Sequence, residues 1–333
     1  MRKLVTIQKV EEIKSIEGAD KIEAARIKGW WVVVQKDQFK VGDSVLYYEI
    51  DSFLPVRPEY EFLLKGSKPK KMLFDGKEVE GIRLKTIKLK GQISQGLIMP
   101  IPEGLKIPED GDVSEILGVI KFEIPIPACL TGVIKGSFPA FLPKTDEERI
   151  QNMVDVLNIN TFYVTEKIDG TSTTFYKKDG VFGVCSRNIE LVEGETTQWR
   201  IARELDLINK MPDNLCLQGE LVGEGIQGNP LKIKGQRIYF FNAYNILTGV
   251  YLNFSDFINI LKHLNLESVP LVDVSFKLPN TVEELLKYAE GKSLINPEVE
   301  REGVVIRPKV EAQYKGQRLS FKVINNTYLL SEV

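Results

Sequence analysis

The run EKIDG at residues 166–170 contains the side chain with the clearest chemical potential, a lysine two positions before Asp-Gly. Residues 162–166 have the composition of a β-strand, and Asp169-Gly170 predicts a sharp turn that leaves Lys167 at the edge of a cleft. The lysine amine could attack phosphorus and carry a nucleotide if it were neutral, which requires desolvation or neighbouring cations to lower its pKa. The alternative is a surface lysine in a tight turn, and this run alone does not decide between them.

A predicted hairpin brings an arginine towards this lysine. The β-rich segments on both sides of Asp179-Gly180 predict a two-residue hairpin turn. Reflection about that turn places Arg187 roughly opposite Ser172, close to Lys167. A guanidinium there could hold a ribose or a phosphate through paired hydrogen bonds, although exposed arginines at strand ends are also common without a role.

Three carboxylates at predicted strand ends are candidate metal ligands. Glu220 follows one strand, Glu302 precedes the apolar segment 304–306, and Asp169 lies in the turn after the lysine. Mg²⁺ takes oxygen ligands, keeps waters and bridges phosphates, so these three side chains would suit it if their strands face one cleft. The glycine-rich segment 223–228 lacks both a P-loop lysine and a preceding Rossmann unit, and we predict a flexible loop there.

Other chemistries have little support. The single histidine, His263, flanks the apolar face of a predicted surface helix, which favours a solvated side chain. Hydrolysis of the Ser/His/Asp or Cys/His type is therefore excluded. The three cysteines are far apart and lack Cys-x-x-Cys spacing, which argues against a zinc site or a disulfide framework; they are Cys129, Cys185 and Cys216.

Length and charge set the broad class of protein. With 333 residues and 43% hydrophobic content, the chain can form two domains with separate cores. Residues 1–144 carry 23 Lys+Arg against 20 Asp+Glu, and the remainder carries 21 against 26. Any nucleic-acid contact must therefore come from local patches. The apolar stretch 30–34 is too short to span a bilayer, and we expect a soluble, cytoplasmic protein without a membrane partner.

The pattern along the chain predicts an α+β protein in two domains. Short β-rich runs at 22–34, 44–53 and 82–99 predict an OB-like β-barrel over residues 1–120. The lysine-rich stretch 65–71 is predicted as a loop, either solvated or in contact with phosphates. Four prolines predict an extended linker over residues 121–144.

Residues 145–333 are predicted to form antiparallel sheets flanked by helices, because hairpins connect the strands. Asp146 is predicted to cap the first helix and Ser255 a second one. The box Thr281-x-x-Glu284 predicts a third helix, which ends at Gly291. The apolar positions of the first helix follow helical spacing; they are Ile150, Met153, Val154 and Leu157.

Taken in order, these segments resemble the nucleotidyltransferase motifs of polynucleotide ligases and capping enzymes. Lys167 and Arg187 are 20 positions apart, and Glu220 and Phe241 are 21 apart, close to the spacing in nick-sealing RNA ligases. The barrel-like segment comes before the lysine, an order that resembles the Naegleria-type, or fifth, family of ATP-dependent RNA ligases. The segment 18–55 is also similar to that family.

The resemblance implies a role for each matching residue. Lys167 would take AMP, Glu166 would recognise the adenine edge, and Ile168 would belong to the same nucleotide pocket. Arg187 and Glu220 would contact the ribose, and Phe241 would stack on the base. The remaining matches would serve catalysis, with Glu302 holding the metal through its waters and Lys322 touching the α-phosphate. Together with Lys167, the predicted catalytic residues are Asp169, Glu302 and Lys322.

One position departs from the ligase pattern. Ligases commonly carry a second lysine two residues after the one at the position of Lys322, and this chain has Ile324 there. We expect Arg149 or Arg307 to supply the missing positive charge.

The sequence therefore predicts an ATP-dependent RNA ligase that uses Mg²⁺, or Mn²⁺, and forms a covalent lysyl-AMP. Its partner would be RNA, a nicked duplex with 3′-hydroxyl and 5′-phosphate ends, without an obligate protein partner. Two alternatives stay open: a capping-type guanylyltransferase that uses GTP, and a non-catalytic RNA-binding module on an inactive transferase domain.

Overall fold

The computed structural model describes residues 3–65, 68–74, 77–105, 107–123, 132–158 and 161–331. These residues form two compact units, one up to residue 123 and the other from residue 132. Cys129 and part of the predicted linker lie outside the described residues, and the domain bounds at 120 and 144 stay predictions. No helix in the described ranges is long and apolar enough to cross a membrane.

The first unit is built almost entirely from short strands. They are β1 (Val5–Lys9), β2 (Glu12–Ser15), β3 (Ile22–Ile27), β4 (Trp30–Gln35), β5 (Ser44–Tyr48), β6 (Ser52–Pro55), β7 (Lys70–Phe74), β8 (Lys77–Arg83), β9 (Ile87–Leu89), β10 (Gln92–Ser94), β11 (Leu97–Pro100) and β12 (Ile120–Lys121). A 3-10 helix, Pro58–Leu63, and the short helix α1 (Ser114–Leu117) complete it. The strands pair antiparallel in the orders β1-β5-β11, β2-β3-β4, β12-β6-β8-β7 and β9-β10.

Alternating side chains explain why these segments are strands. In β4 the side chains of Trp30, Val32 and Val34 are buried, whereas those between them are only half-buried. This period of two places every second residue in the core of the unit. The lysine-rich stretch is not wholly a loop, because Lys70 and Lys71 begin β7, where Lys71 pairs with Glu78 at 2.7 Å.

The second unit contains longer sheets and most of the helices. Its strands are β13 (Ile134–Ser137), β14 (Glu148–Arg149), β15 (Phe162–Lys167), β16 (Thr171–Lys178), β17 (Val181–Cys185), β18 (Ile189–Leu191), β19 (Leu215–Gly223), β20 (Gln236–Asn245), β21 (Val250–Tyr251), β22 (Leu271–Phe276), β23 (Gly303–Pro308), β24 (Gln313–Tyr314), β25 (Gln317–Arg318) and β26 (Phe321–Ile324). Its helices are α2 (Thr197–Glu204), α3 (Leu207–Lys210), α4 (Phe254–Leu264), α5 (Val282–Ala289) and α6 (Asn326–Ser331), with 3-10 turns at Ile150–Asn152 and Val154–Asn158.

Two sheets organise this unit within the described residues. One has seven strands in the order β13-β18-β17-β16-β19-β20-β21, and the other has five in the order β14-β26-β23-β15-β22. Neighbouring strands run antiparallel, except that β14 and β26 are parallel. The predicted antiparallel α+β architecture is confirmed. The strand that ends at Lys167 is β15, in the interior of the five-stranded sheet.

The prediction of a helix that starts after Asp146 is wrong. Glu148 and Arg149 instead form β14, which pairs with Phe321 and Lys322 of β26. This pairing holds the backbone extended, so that only short 3-10 turns follow. Ile150 and Met153 are nevertheless buried in the core, as their apolar character requires.

The two later helices are confirmed, with small differences at their ends. The N-cap of α4 is Asn253 rather than Ser255, and its side chain makes no capping hydrogen bond. In α5 the predicted capping box is present, because Thr281 accepts from the Glu284 amide and Glu284 binds back. This helix ends at Ala289, just before Gly291, whose φ of +121° favours glycine.

Candidate active site

The ends of two neighbouring strands bring Lys167 and Glu302 together. In the antiparallel pairing of β15 with β23, Lys167 lies opposite Gly303. The lysine ammonium donates to both oxygens of the Glu302 carboxylate, each at 2.6 Å. A Cβ on Gly303 would lie 2.2 Å from the carbonyl oxygen of Val323, so only glycine permits this close approach of β23 and β26.

The Asp-Gly turn brings two more carboxylates to the same end of the unit. A Cβ on Gly170 would lie 2.4 Å from the Leu221 carbonyl and 3.1 Å from the Cγ of Glu220. The turn that carries Asp169 therefore packs directly against β19, beside Glu220. The absence of a side chain at Gly170 makes this packing possible.

The charges around Lys167 raise its pKa. Burial alone would lower the pKa of Lys167, but the carboxylates of Glu302, Glu220 and Asp169 outweigh burial and stabilise the ammonium. The expectation that the pKa of this lysine falls is therefore wrong for the arrangement in this structure. The amine becomes a nucleophile only after its proton has been removed.

Burial also changes the titration of the carboxyl groups. It raises the pKa of Glu220 to about 8, against the opposing attraction of Lys167. Burial likewise raises the pKa of Glu302, although Lys167 partly offsets the effect. The site therefore holds a carboxyl group that exchanges a proton near neutral pH.

The raised pKa of Glu220 predicts a pH-dependent contribution to stability. A carboxyl whose pKa is raised on folding stabilises the fold fully below its ordinary value, 4.5, and loses that contribution as pH rises to about 8. Glu220→Gln mimics the protonated group. Its free energy of unfolding should therefore improve relative to that of the unmodified protein between pH 5 and pH 8, by at most about 1.4 kcal/mol per pH unit.

Denaturant titrations of both proteins at pH 5, 6.5 and 8, in buffer without divalent metal, test this prediction. A difference in the free energy of unfolding that stays constant across the three pH values would contradict it.

The three predicted metal ligands are close together, and two of them are engaged by other groups. Oδ2 of Asp169 accepts a hydrogen bond of 2.6 Å from the Tyr328 hydroxyl, and Glu302 is held by Lys167. In the part of the chain that the structure describes, no three His, Cys, Asp or Glu side chains are arranged to hold a metal ion. The assignment of Asp169, Glu220 and Glu302 as ligands stays a prediction.

A small cavity adjoins Lys167, and two of the residues that line it could not be recognised from the sequence. Lys167, Asp169 and Glu302 line it together with Tyr328 of α6 and Leu231 of the loop after β19. The start of α6 is fixed by the buried Asn325, whose backbone amide donates to the Glu302 carbonyl at 2.9 Å. Neither residue could be assigned to the cavity without the fold, because nothing in the sequence around Tyr328 or Leu231 marks it as part of a site.

Glu166 has an unsatisfied oxygen inside the protein. Its side chain is 1% exposed, and Oε2 accepts a hydrogen bond of 2.7 Å from the Leu294 amide. Oε1 is buried and has no partner among the described residues. Because a buried acceptor without a donor is costly, this oxygen suits a ligand that brings an N–H group. Burial raises the pKa of Glu166.

The predicted hairpin is present, and it places Arg187 beside the Asp146 carboxylate and close enough for its charge to act on Glu220. Thr174 pairs with Cys185 and Lys178 with Val181, which confirms the predicted register. Arg187 lies just beyond the paired residues, is half exposed, and donates to Asp146 at 2.6 Å. Its role with a ribose or phosphate stays a prediction.

The predicted aromatic residue sits at an irregularity in β20. In the pairing with β19, Phe240 lies opposite Gly219 and Asn242 opposite Gln218, so Phe241 is the extra residue of a β-bulge. A bulge redirects a side chain, and Phe241 packs with the buried Ile168 rather than with the cluster that contains Phe240. This places two predicted nucleotide contacts, Phe241 and Ile168, in one apolar cluster.

The cations predicted to neutralise phosphate have different environments. Lys322 and Arg149 lie opposite each other on β26 and β14, and the charge of Lys322 partly opposes the rise that burial causes in the pKa of Glu302. Arg149 is buried, and its predicted phosphate contact stays a prediction. Ile324 is buried opposite Gly303 and adds no charge.

Arg307 is not available for phosphate. Its guanidinium is buried and donates to the Glu147 carboxylate at 2.6 Å, to Ser320 at 2.9 Å and to the Phe241 carbonyl at 3.2 Å. The expectation that Arg307 supplies the missing motif charge is therefore wrong, because the side chain holds the scaffold around Phe241 instead.

Comparison with known proteins agrees with this architecture. The family description "OB-fold domain" matches residues 4–101, and "RNA ligase" matches residues 160–324. Among solved structures, the Naegleria gruberi RNA ligase with PPi is 40% identical, with a TM-score of 0.88, over 100% of this chain and 99% of that chain. A variant of that ligase with ATP and Mn is 40% identical over 98% of each chain, with a TM-score of 0.88.

A further variant of the Naegleria gruberi ligase, with AMP and Mn, is 41% identical over 98% of each chain, with a TM-score of 0.87. No curated protein sequence matches. An OB-fold unit followed by an RNA ligase unit is the domain order of a polynucleotide-joining ligase. The chain belongs to the RNA ligase family, and it is an enzyme. The predicted OB-like fold of the first unit and the predicted resemblance to the Naegleria-type ligases are confirmed.

Proposed function

We propose that this enzyme seals RNA nicks with ATP, through AMP bound covalently to Lys167. The observation that carries the proposal is the Lys167–Glu302 contact at 2.6 Å, with Asp169 and Glu220 beside it, inside the segment that matches the RNA ligase family. Structures of the similar Naegleria gruberi ligase with ATP, AMP, PPi and Mn support ATP and a divalent cation for this chain.

The first step forms a bond between Nζ of Lys167 and the α-phosphorus of ATP. The bond from that phosphorus to the bridging oxygen breaks, and pyrophosphate leaves with the electron pair. The ammonium proton must leave before the attack, and the Glu302 carboxylate is the nearest acceptor. As long as no cation is bound to it, burial raises the pKa of Glu302, so its carboxylate is a better base than an exposed one.

The donor set fits a hard divalent cation. Asp169, Glu220 and Glu302 offer carboxylate oxygens, which are the ligand type that Mg²⁺ and Mn²⁺ take. We propose that these residues hold the cation, which when bound neutralises charge on the phosphates. Contact with a cation would also weaken the hold of Glu302 on the lysine.

The nucleotide pocket would be formed by Glu166, Phe241 and Arg187. The unsatisfied Oε1 of Glu166 fits the amino group at the Watson–Crick edge of adenine, whereas guanine presents an acceptor at the corresponding position. Phe241 supplies an aromatic face for the base, and Arg187 supplies hydrogen-bond donors for the ribose or phosphates. Lys322 is proposed to touch the α-phosphate.

In the second step an oxygen of the RNA 5′-phosphate attacks the AMP phosphorus, the bond between that phosphorus and Nζ breaks, and Lys167 leaves as the free amine. In the third step the RNA 3′-hydroxyl attacks that phosphate, a phosphodiester forms and AMP leaves. These steps need close positioning and stabilisation of charge rather than a new nucleophile. A cytoplasmic location and the absence of an obligate protein partner stay predictions.

Glu302→Ala should slow the transfer of label from α-labelled ATP to the protein by roughly 10²- to 10⁴-fold, the usual contribution of a positioned proton acceptor. Gel detection of the labelled protein over time measures this rate, and a Mg²⁺ titration is run alongside. The matched control is Glu300→Ala, which removes a carboxylate from the same cavity that pairs instead with Lys292. Unchanged activity of the Glu302 variant across the titration would remove this assignment.

The choice of nucleotide separates the ligase from its alternatives. Labelling with ATP but not GTP supports the ligase, whereas labelling with GTP alone would indicate a guanylyltransferase. Binding of RNA without labelling by either nucleotide would indicate a non-catalytic module. A gel assay on a nicked duplex, with RNA or DNA on each side of the break, then tests which ends are joined.

A further inference from the structure

Basic side chains without a partner are concentrated on one segment of the second unit. Most lysines and arginines of this unit pair with a carboxylate or donate to another group, as in Lys135–Glu190 and Arg200–Glu204. Within the described residues, those without such a partner are Lys232, Lys234, Arg237, Lys262, Lys277 and Lys287. Half of them lie in the short segment 232–237.

This segment is attached to the wall of the lysine site. Leu231, which immediately precedes it, is buried and lines the same cavity as Lys167. Leu231 and Ile233 pack in the apolar cluster that contains Ile168 and Phe241. The lysines that alternate with these two apolar residues, Lys232 and Lys234, are exposed.

The loop is held in one conformation. The Asn229 side chain accepts from the Ile233 amide at 3.0 Å and donates to the Ile233 carbonyl at 2.9 Å. Asn296 donates to the Leu231 carbonyl at 3.0 Å. Gln227, Asn229 and Lys232 have positive φ values of 46°, 53° and 52°. Such conformations persist only when their surroundings enforce them. The two lysines therefore extend from an ordered loop.

The third of these unpaired cations, Arg237, lies near the start of β20. It is exposed and lies two residues before Tyr239, so both side chains are on one face of the strand. Tyr239 packs in the cluster that contains Phe241 and Ile168. Arg237 therefore lies on the face of β20 that carries the proposed nucleotide pocket, and Lys232 and Lys234 are exposed on the loop that leads into this strand.

The spacing of these cations fits a chain of phosphates. The backbone from Lys232 to Arg237 spans at most about 18 Å, a distance over which these cations can contact neighbouring phosphates of one strand. Residues 145–333 carry more acidic than basic side chains, so a polyanion approaches this unit only where unpaired cations offset the repulsion.

We propose that Lys232, Lys234 and Arg237 bind backbone phosphates of the RNA strand whose 5′ end reaches Lys167. This inference rests on the proposed function and adds a substrate contact to it. The contacts are to phosphates rather than bases, so they position the strand without reading its sequence.

The test compares two triple variants with equal changes in charge. The first is K232A/K234A/R237A, and the matched control is K262A/K277A/K287A, which removes the other unpaired cations. The affinity of each protein for a fluorescent nicked RNA duplex is measured by anisotropy between about 50 and 200 mM salt. Self-labelling with α-labelled ATP, which needs no RNA, is measured in parallel.

We expect the first variant to bind the duplex about tenfold more weakly and its slope of log affinity against log salt to fall in magnitude by about 2 to 3. The control should bind as the unmodified protein does, and the first variant should label itself normally. An unchanged slope, an equal loss in the control, or a parallel loss of self-labelling would overturn the inference. If the unmodified protein takes no label, the proposed function fails, and the affinity comparison still decides the phosphate contacts.

Discussion

Lys167→Ala should abolish the transfer of label from α-labelled ATP to the protein, because the variant lacks the proposed acceptor of AMP. Joining of RNA that already carries AMP on its 5′ end should persist, since that reaction begins after the lysine has acted. Gel assays with labelled ATP and with pre-adenylated RNA separate these two reactions. The expected loss is the largest effect on catalysis of any substitution considered.

Lys167→Arg is the informative companion variant. Arginine keeps a positive charge for the Glu302 carboxylate, so an ion pair should be maintained, but a guanidinium stays protonated and cannot attack phosphorus. Both variants should therefore fail to take label, whereas only Lys167→Ala leaves Glu302 without its cation. Covalent labelling that persisted in either variant would move the nucleophile to another residue.

Arg307→Met should cause the largest loss of stability, about 3–5 kcal/mol in the free energy of unfolding, because it leaves the Glu147 carboxylate without its buried partner. Arg307 also donates to Ser320 and to the Phe241 carbonyl, and these acceptors would lose their donor. Burial opposes ionisation of Glu147, and the charges of Arg307 and Arg318 outweigh it and lower the pKa of Glu147. Denaturant unfolding of the variant measures the cost.

The double variant R307M/E147L provides the control. Replacement of a whole buried ion pair by apolar side chains is often neutral, so the double variant should recover most of the stability that the single variant loses. A single variant within about 1 kcal/mol of the unmodified protein, or a double variant no better than the single one, would show that the pair contributes little.

Features that depend on neighbours in the sequence could be predicted from it. The Asp179-Gly180 turn set the register of its hairpin, and Thr281 with Glu284 marked the start of a helix, because each signal acts within a few residues. The acidic and basic candidates around Lys167 followed from motif order and spacing. The structure places Asp169, Glu220 and Glu302 beside that lysine.

Features that depend on contacts between distant parts of the chain could not be predicted from the sequence. The helix expected after Asp146 failed because β14 pairs with a strand from the far end of the chain, and this non-local pairing overrides local helical spacing. The bulge that redirects Phe241 and the Tyr328 contact with Asp169 likewise exist only in the folded unit. The raised pKa of Lys167 reflects charges that the fold gathers, and no single motif encodes it.

The pairing of β15 with β23 also has a consequence in time. Lys167 and its partner Glu302 are 135 positions apart, so the ribosome makes the lysine well before the carboxylate that holds it. At about 5–20 residues per second, the delay is roughly 7 to 27 seconds. During that interval the emerging chain has the amine without its proposed proton acceptor. The proposed transfer of AMP to Lys167 would therefore be confined to chains whose translation has passed β23.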